Sequence, residues 1–424
     1  MNAFWHNNLI VGRVAERILG FYSKRIKQTR MKQKEPLLNN SIVPDLLCFS
    51  HLRWDFVYQR PQHIMSRLNK SFRIFYIEEP LFHNGTDEFK LQTTEDGVIT
   101  VTPFLNEEDR TAYSITQRQK SLLTKLMVQN KIVNYYSWYY TPMALKISQH
   151  LNPSMIIYDC MDELSAFKFA PAELKLLETE LLKTADLVFT GGQSLFEAKK
   201  HQHKNIFPFP SSIDKAHFGM ARKFKKEPAD QERIKGTKIG FYGVIDERFD
   251  IQLIEEVATK RPDWQFIMIG PIVKINPADL PKNPNVHFLG GKTYKELPQY
   301  LSGWDIAIIP FANNESTKFI SPTKTPEYLA GGKPVISSSI KDVVTPYGDK
   351  GLVHIADNAQ EFIKAAEKEL NKDQKAYALW LEKADAFLKN ISWNQCVSDM
   401  ISHIDKTFIK DGENSSLAGR KSVA

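Results

Sequence analysis

SPTKTPEYLAGGKPVIS, residues 321–337, is the stretch that decides the fold class. It follows the apolar run 304–310 and a polar loop, and it ends in another apolar run, so it predicts strand, helix and strand in succession. Gly331 and Gly332 mark the end of that helix. Strands that alternate with helices in this way indicate a parallel sheet covered by helices, the α/β class.

The same alternation extends in both directions from this segment. It predicts strands near 45–50, 72–78, 131–138, 155–160, 186–190 and 205–208, and again near 237–242, 264–270, 285–289, 304–310, 334–337 and 352–355. Residues 218–236 between the two sets are charged and lack periodicity, which indicates a linker. Two doubly wound sheets in tandem place a ligand cleft between the carboxyl ends of both strand sets.

Positive charge is concentrated at the amino terminus. The formal net charge is +7; residues 1–40 hold eight basic and two acidic side chains, hence +6, which leaves +1 for the other 384 residues. This nearly neutral body argues against a nucleic-acid partner. Apolar residues among the cations of the arm suit an interfacial helix, which predicts peripheral contact of residues 1–34 with the inner membrane. A disordered leader explains the same residues equally well.

Cysteine usage and hydropathy predict the compartment. The three cysteines form no CxxC pair and have no histidine at zinc-ligand spacing, a pattern typical of a reducing compartment without a structural metal. No apolar run approaches the roughly 20 residues that span a bilayer. The sequence contains no Asp-x-Asp triplet, the pattern that would suggest a bound divalent cation. We therefore expect a cytoplasmic protein with no metal and no tightly bound cofactor.

The predicted helix within 321–337 carries hydroxyls and Lys324 in its first turn. Backbone N–H groups and the helix dipole favour a phosphate at such a position. Glu327, one turn further on, can accept hydrogen bonds from vicinal sugar hydroxyls. The alternative is an ordinary capped helix that leaves Lys324 and Glu327 at the surface.

The segment 321–337 resembles the nucleotide-sugar-binding segment of GT-B glycosyltransferases, in particular those of the retaining family four. The resemblance implies that Glu327 holds the ribose of a nucleotide sugar, the co-substrate. It also implies that the residues just before Glu327 meet the diphosphate and the sugar; these are Ser321, Pro322, Thr323 and Lys324.

Three further pieces of the second half fit the same family in the same order. IGFYGVIDER, 239–248, is similar to the strand and loop that open the donor domain, which implies that Arg248 faces the diphosphate near Gly243. The runs 261–271 and 286–298 are similar to the strand ends that shape the base pocket, with Gly270 at the turn of the first run. The subgroup most similar to this chain carries the phrases RWDFVYQRPQH and YDCMDELSAF and includes enzymes joined to a UDP-galactopyranose mutase.

The chain also departs from the family pattern. Family four often has a second glutamate eight residues before the ribose-binding one, and this position is Phe319 here. Many relatives carry an arginine at the position of Val244. The donor-sugar contacts, and the identity of the sugar, therefore cannot be transferred from the family.

The resemblance implies a GT-B architecture, with two Rossmann-like doubly wound domains facing a central cleft. The predicted parts are a basic arm at 1–40, an acceptor-side domain at 41–217, a linker at 218–236, a nucleotide-sugar-binding domain at 237–390, a closing helix at 391–410 and a tail at 411–424.

Cationic residues follow the first strand of the first half. His51, Arg53 and Arg60 lie in a loop that enters a helix near Pro61, so we expect them at a strand-to-helix turn that faces the cleft. Arg53 or Arg60 then neutralises a departing diphosphate. Alternatively, these arginines pair with Asp55, or with Glu78 and Glu79, and merely hold the loop.

A second cluster follows the apolar run 155–160. Asp159 and Asp162 are predicted to hydrogen-bond an acceptor hydroxyl or the donor sugar, although Asp162 could instead cap the next segment. Tyr140 is predicted on the acceptor side after another strand, a position that packing explains as well.

These residues predict a mechanism. Negative charge grows on the leaving diphosphate, and we assign Arg53, Arg248 and Lys324 to stabilise it without a metal ion. The resemblance implies retention of configuration; if the enzyme inverts, Asp162 is the base. We expect a transferase that moves a sugar, most simply from a UDP-sugar, to a cell-envelope polysaccharide or lipid-linked acceptor. The alternatives are a nucleotide-sugar epimerase on the same fold and a non-catalytic nucleotide-sugar-binding protein.

Overall fold

The computed structural model describes residues 44–420. The basic arm 1–40, its predicted membrane contact through 1–34, and residues 421–424 of the tail lie outside the described residues. Within the described part, no helix is long and apolar enough to cross a membrane.

The first half forms a sheet of nine strands, of which eight follow the order β3-β5-β2-β1-β6-β7-β8-β9, while β4 pairs antiparallel with β5. The strands are β1 Asp45–Phe49, β2 Arg73–Ile77, β3 Leu81–His83, β4 Glu88–Thr93, β5 Ile99–Asn106, β6 Tyr135–Tyr139, β7 Met155–Cys160, β8 Leu187–Thr190 and β9 Ile206–Pro208. Strands β1, β6, β7 and β8 are buried along their whole length because helices cover both faces of the sheet.

The second half forms a sheet of six parallel strands in the order β12-β11-β10-β13-β14-β15. The strands are β10 Thr237–Tyr242, β11 Trp264–Ile269, β12 Val286–Phe288, β13 Ile306–Ile309, β14 Val335–Ser337 and β15 Val353–Ile355. All twelve predicted strands are present, so the predicted α/β architecture is confirmed.

Helices cover both sheets. They are α1 Arg60–Leu68, α2 Ala112–Gln129, α3 Leu145–Ser148, α4 Leu174–Thr184, α5 Gln193–Lys199, α6 Lys215–Gly219, α7 Ala229–Glu232, α8 Ile251–Lys260, α9 Leu297–Ser302, α10 Lys324–Ala330, α11 Lys341–Val343, α12 Ala359–Leu370, α13 Gln374–Leu388 and α14 Trp393–Arg420. A loop separates β10 from α8, and Asp250 caps α8 by accepting a hydrogen bond from the Leu253 amide.

The last helix returns to the first domain. Trp393, Val397, Met400 and Ile404 on α14 are buried in the core cluster that also contains Trp138 of β6. The sequence places the closing helix at 391–410, and the observed helix continues through Arg420 into the region expected to be a tail. The first domain is therefore built from two separate stretches of the chain.

The predicted linker differs from a loose connection. It contains α7 and a buried glutamine, Gln231, whose side chain accepts a hydrogen bond from the Trp304 indole at 2.9 Å and donates one to the Tyr300 carbonyl at 2.9 Å. The sequence could not predict this packing. It depends on the two hydrogen bonds of a single polar residue, which do not produce a periodic pattern in the sequence.

Candidate active site

A cavity of about 1250 Å³ lies between the two domains, at the carboxyl ends of strands from both sheets. Ten of the residues selected from the sequence line it: Arg60, Asp162, Gly243, Arg248, Gly270, Ser321, Pro322, Thr323, Lys324 and Glu327. Four of the selected residues are not among the lining residues: His51, Arg53, Tyr140 and Asp159. The candidate site residues of the second domain therefore lie together at the cavity, whereas most of those of the first domain lie away from it.

Glu327 lies on α10 with its carboxyl group directed at the end of β10. The side chain is only 5% exposed, and its Oε2 accepts a hydrogen bond from the Tyr242 hydroxyl at 2.7 Å. The Tyr328 hydroxyl accepts from the Tyr242 amide at 3.1 Å, which ties the helix to the strand. Glu327 therefore has a fixed position at the cavity wall and is not the surface residue of the alternative interpretation.

The buried Glu327 gives the stability of the protein a pH dependence. Burial raises the pKa of this carboxyl from 4.5 to about 7, although the Tyr242 hydroxyl and Lys324 oppose the shift. The folded protein then binds the proton more tightly than the unfolded chain, so the contribution is fully present below pH 4.5 and is lost as the pH rises through 7. Between pH 5 and pH 8, we expect wild type to lose about 2–3 kcal/mol of unfolding free energy relative to Glu327→Gln. Urea unfolding at each pH measures the difference, and parallel pH profiles would contradict it.

Arg248 is held beside the cavity by a carboxylate and by aromatic rings. Its Nε and Nη2 donate to the two carboxylate oxygens of Asp246, at 2.9 and 2.7 Å, in a two-point contact. The guanidinium carbon lies 5.2 Å from the Phe167 ring centroid and 5.9 Å from that of Phe311. The planar group is therefore fixed in orientation before any ligand arrives.

Lys324 begins α10 and lines the same cavity. Its Nζ lies 5.6 Å from the Phe241 ring centroid and 5.7 Å from that of Phe311. Burial lowers the pKa of this ammonium group to about 8. Within residues 44–420, no carboxylate forms an ion pair with it, so a bound anion would meet a cation that is not already neutralised.

Two glycines make room for this arrangement. Gly243 has φ +141°, and a Cβ there would lie 2.3 Å from Lys324 Cε. Gly270 has φ +146°, and a Cβ there would lie 1.8 Å from the Gly243 carbonyl oxygen. Both positions favour glycine because of their positive φ, and at Gly270 a side chain would also collide with the backbone of Gly243.

Asp162 is the carboxyl selected from the first half of the sequence that lines the cavity. Burial raises its pKa to about 6, while the nearby cations Arg248 and Arg60 oppose the shift. Its position opposite Arg248 is compatible with a contact to the sugar or to the acceptor. The alternative role, a side-chain cap, is not observed for the short 3-10 turn that follows, whose first residue is Leu164.

Arg60 and Asp159 are paired in the first-domain core, which corrects the predicted acceptor contact of Asp159. Arg60 is 3% exposed and Asp159 0%, and the guanidinium Nη2 donates to Asp159 Oδ1 at 2.8 Å. Arg60 Nη1 also donates to the Phe209 carbonyl at 2.7 Å. Tyr140 is fully buried in the same core. These groups hold the domain together, and Asp159 and Tyr140 cannot reach an acceptor in this arrangement.

Arg53 and His51 also differ from their predicted positions. Arg53 Nη1 donates to Glu78 Oε2 at 2.9 Å, and Nη2 donates to the Glu79 carbonyl at 3.1 Å. This is the loop-holding alternative, and the guanidinium is engaged there and not at a phosphate. Burial lowers the pKa of His51 to about 4, so the ring is neutral at physiological pH and offers no charge to a phosphate.

The sequence did not single out the aromatic residues between the domains. Tyr58 and Tyr294 line the cavity and stack with ring centroids 4.5 Å apart. Tyr294 also stacks on His217 at 4.2 Å, and its buried hydroxyl has no hydrogen-bond partner within the described part of the chain. The density of aromatic residues in RWDFVYQRPQH was the available signal for Tyr58, and the resemblance of 286–298 to a base-pocket segment was the signal for Tyr294.

The position at which the family resemblance expects a second glutamate is not part of the cavity. Phe319 packs against the apolar cluster of the first domain. The nearby Glu315 is 78% exposed and pairs with Lys318. In the region 44–420, no group of three or more histidine, cysteine, aspartate and glutamate side chains is arranged to hold a metal ion.

Residues 237–372 match the family model described as glycosyl transferases group 1. The match runs from β10 to the end of α12 in the second domain. TuaH of Bacillus subtilis (strain 168), which is named as a teichuronic acid biosynthesis glycosyltransferase, is 26% identical to this chain over 257 residues. The match covers 56% of this chain and 64% of TuaH, so the chain spans just under two thirds of the length of this relative.

Solved structures share the fold of the whole described chain, although their sequences differ widely. Sucrose-phosphate synthase from Thermosynechococcus elongatus has a TM-score of 0.64 at 14% identity, and the match covers 87% of this chain and 100% of the synthase chain. Anabaena HepE in complex with UDP and glucose has a TM-score of 0.61 at 12% identity, covering 86% and 100%. A trehalose-6-phosphate protein from E. coli bound with UDP-2-fluoro glucose has a TM-score of 0.63 at 11% identity, covering 84% and 98%. The chain has the GT-B fold, and its match to the group 1 model lies in the second half.

Proposed function

We propose that this protein is a glycosyltransferase that binds a UDP-sugar in the cavity and transfers the sugar to a glycan or lipid-linked acceptor of the cell envelope. One observation carries the proposal: Glu327, Lys324 and Arg248 line a single cavity between the domains. A carboxylate for ribose hydroxyls and two cations for phosphates are the groups that a nucleotide diphosphate requires.

The two cations, Arg248 and Lys324, act on the leaving diphosphate in our proposal. As the bond between the sugar and the diphosphate breaks, negative charge grows on the phosphate oxygens, and fixed cations in a partly buried site stabilise it. Arg248 and Lys324 supply this charge in our proposal, without a metal ion. We propose retention of configuration, in which the leaving phosphate receives the acceptor proton. If the reaction inverts, Asp162 would be the base, since burial raises its pKa to about 6.

The comparisons support the nature of the substrates. The HepE structure contains UDP and glucose, and the E. coli structure contains UDP-2-fluoro glucose. The name of TuaH refers to teichuronic acid biosynthesis. We therefore propose UDP as the nucleotide and an envelope polysaccharide or its lipid-linked precursor as the acceptor, with the enzyme acting in the cytoplasm.

A second candidate is a protein that binds the nucleotide sugar without transferring it. Phe319 favours it, because this residue packs on the first domain where the family resemblance expects a sugar-binding glutamate. Calorimetry with UDP beside an assay of donor consumption separates the two. Consumption that depends on an added acceptor supports transfer, and UDP binding without consumption supports the second candidate.

Replacing Glu327 by alanine tests the nucleotide site. We expect UDP binding to weaken by about 1–3 kcal/mol, the usual effect of losing hydrogen bonds to a charged group. Isothermal titration calorimetry with UDP gives the value. Glu315→Ala is the matched control, because Glu315 is 78% exposed and lies outside the cavity. Unchanged UDP affinity in a folded Glu327→Ala protein would exclude the ribose role.

A further inference from the structure

One loop of the first domain contacts the phosphate-binding side of the second. The loop follows β7 and contains Phe167, whose ring faces the Arg248 guanidinium carbon at 5.2 Å and Lys274 Nζ at 5.3 Å. The Lys168 amide donates to Glu247 Oε1 at 3.2 Å, and Lys274 Nζ lies 3.6 Å from the same carboxylate. The first domain thus contacts Arg248, Glu247 and Lys274 of the second domain.

Aromatic rings lie near Arg248 from both domains. Phe311 of the second domain lies 5.9 Å from the guanidinium carbon, and Phe167 of the first lies 5.2 Å from it. Asp246 fixes the side of the guanidinium that carries Nε and Nη2. A cation within about 6 Å of a ring centroid is attracted to the ring, and more strongly where water is excluded. Without Phe167, the guanidinium keeps Asp246 and Phe311 but loses its ring contact with the first domain.

We propose that Phe167 is a positioning residue for Arg248, through which the first domain completes the phosphate site of the second. This inference rests on the proposed function, since it takes Arg248 as a ligand of the diphosphate. The phosphate site is then complete only while the two domains are together, so donor binding and domain contact are linked through one aromatic ring.

The test uses the full chain, with UDP and uridine as the probes. We expect Phe167→Leu to weaken UDP binding about three- to tenfold, within the range of cation–π contacts. Uridine, which lacks phosphates, should bind equally to Phe167→Leu and wild type. Phe167→Tyr keeps the ring and should retain wild-type UDP affinity. Phe169→Leu is the matched control, because Phe169 lies in the same loop, is 51% exposed and has no ring contact with Arg248.

A double-mutant cycle separates positioning from a general structural role. In an Arg248→Gln background, Phe167→Leu should cause no further loss of UDP affinity, because the guanidinium that it positions is gone. Equal losses in both backgrounds would overturn the proposal, and so would wild-type UDP affinity in a folded Phe167→Leu protein. If wild type binds neither UDP nor a UDP-sugar, the proposed function fails together with this inference. If Arg248→Gln weakens UDP binding and Phe167→Leu does not, only the inference fails.

Discussion

Replacing Lys324 by alanine is expected to lower kcat/KM for the UDP-sugar donor by about 10²–10³, the usual effect of removing one fixed group that stabilises transition-state charge. The reason is local. Lys324 Nζ lies within 6 Å of the Phe241 and Phe311 ring centroids, in a partly buried position where a charge is weakly screened. The fall should be larger in kcat than in the affinity for UDP, because the charge on the phosphate grows as the bond breaks.

Release of UDP is the measurement, with the UDP-sugar that raises the melting temperature most in a ligand screen. Lys318→Ala is the matched control, since Lys318 is 55% exposed and does not line the cavity. If Lys324→Ala kept wild-type kcat/KM, another cation, foremost Arg248, would have to carry the leaving-group charge alone.

Breaking the buried pair of the first domain is expected to have the largest effect on stability. Arg60→Met leaves the Asp159 carboxylate buried without its partner, and the free energy of unfolding should fall by about 3–5 kcal/mol. The double variant Arg60→Met, Asp159→Leu should recover a large part of this loss, because it removes the uncompensated charge. Urea unfolding of the three proteins measures both values.

The pH dependence gives a further check on this pair. Burial raises the pKa of Asp159 and Arg60 lowers it, so without Arg60 the carboxyl takes up a proton more readily. The deficit of Arg60→Met should therefore shrink as the pH is lowered from 7 to 5. A deficit that is equal in the single and double variants would show that Arg60 acts by packing and not by pairing.

The sheets could be predicted from the sequence because buried parallel strands are continuous apolar runs. β7 and β10 are examples: both lie at their predicted positions, 155–160 and 237–242. β4 escaped prediction because it is a largely exposed edge strand with the sequence EFKLQT, in which polar residues outnumber apolar ones. β3 has only three residues, too few for any periodicity.

The second-domain half of the site could be predicted because its residues lie within short, recognisable segments. Lys324 and Glu327 are three residues apart on one helix, and local spacing is enough to place both on one wall. The first-domain half could not be predicted in the same way. Arg60 and Asp159 are separated by 99 residues, and their pairing depends on strand order, which the sequence does not give directly.

The contacts of several aromatic residues could not be predicted from the sequence either. Tyr242 ends β10 and donates to Glu327, but an aromatic residue at a strand end is more often explained by packing. Tyr58 and Tyr294 come from different domains, so their stack forms only after both domains have folded. Local sequence cannot indicate contacts of this kind.

The return of α14 to the first domain limits how the protein can be divided. Trp393 stacks on His63 of α1 with ring centroids 4.6 Å apart, and Asn394 accepts a hydrogen bond from Arg67 at 2.7 Å. A gene split near residue 220 would leave the amino-terminal half without α14, and it would leave the buried face of α14 uncovered in the carboxyl-terminal half. Chimaeras between relatives must therefore exchange residues 44–217 together with the terminal helix, so that recombination needs two crossovers where the domain count suggests one.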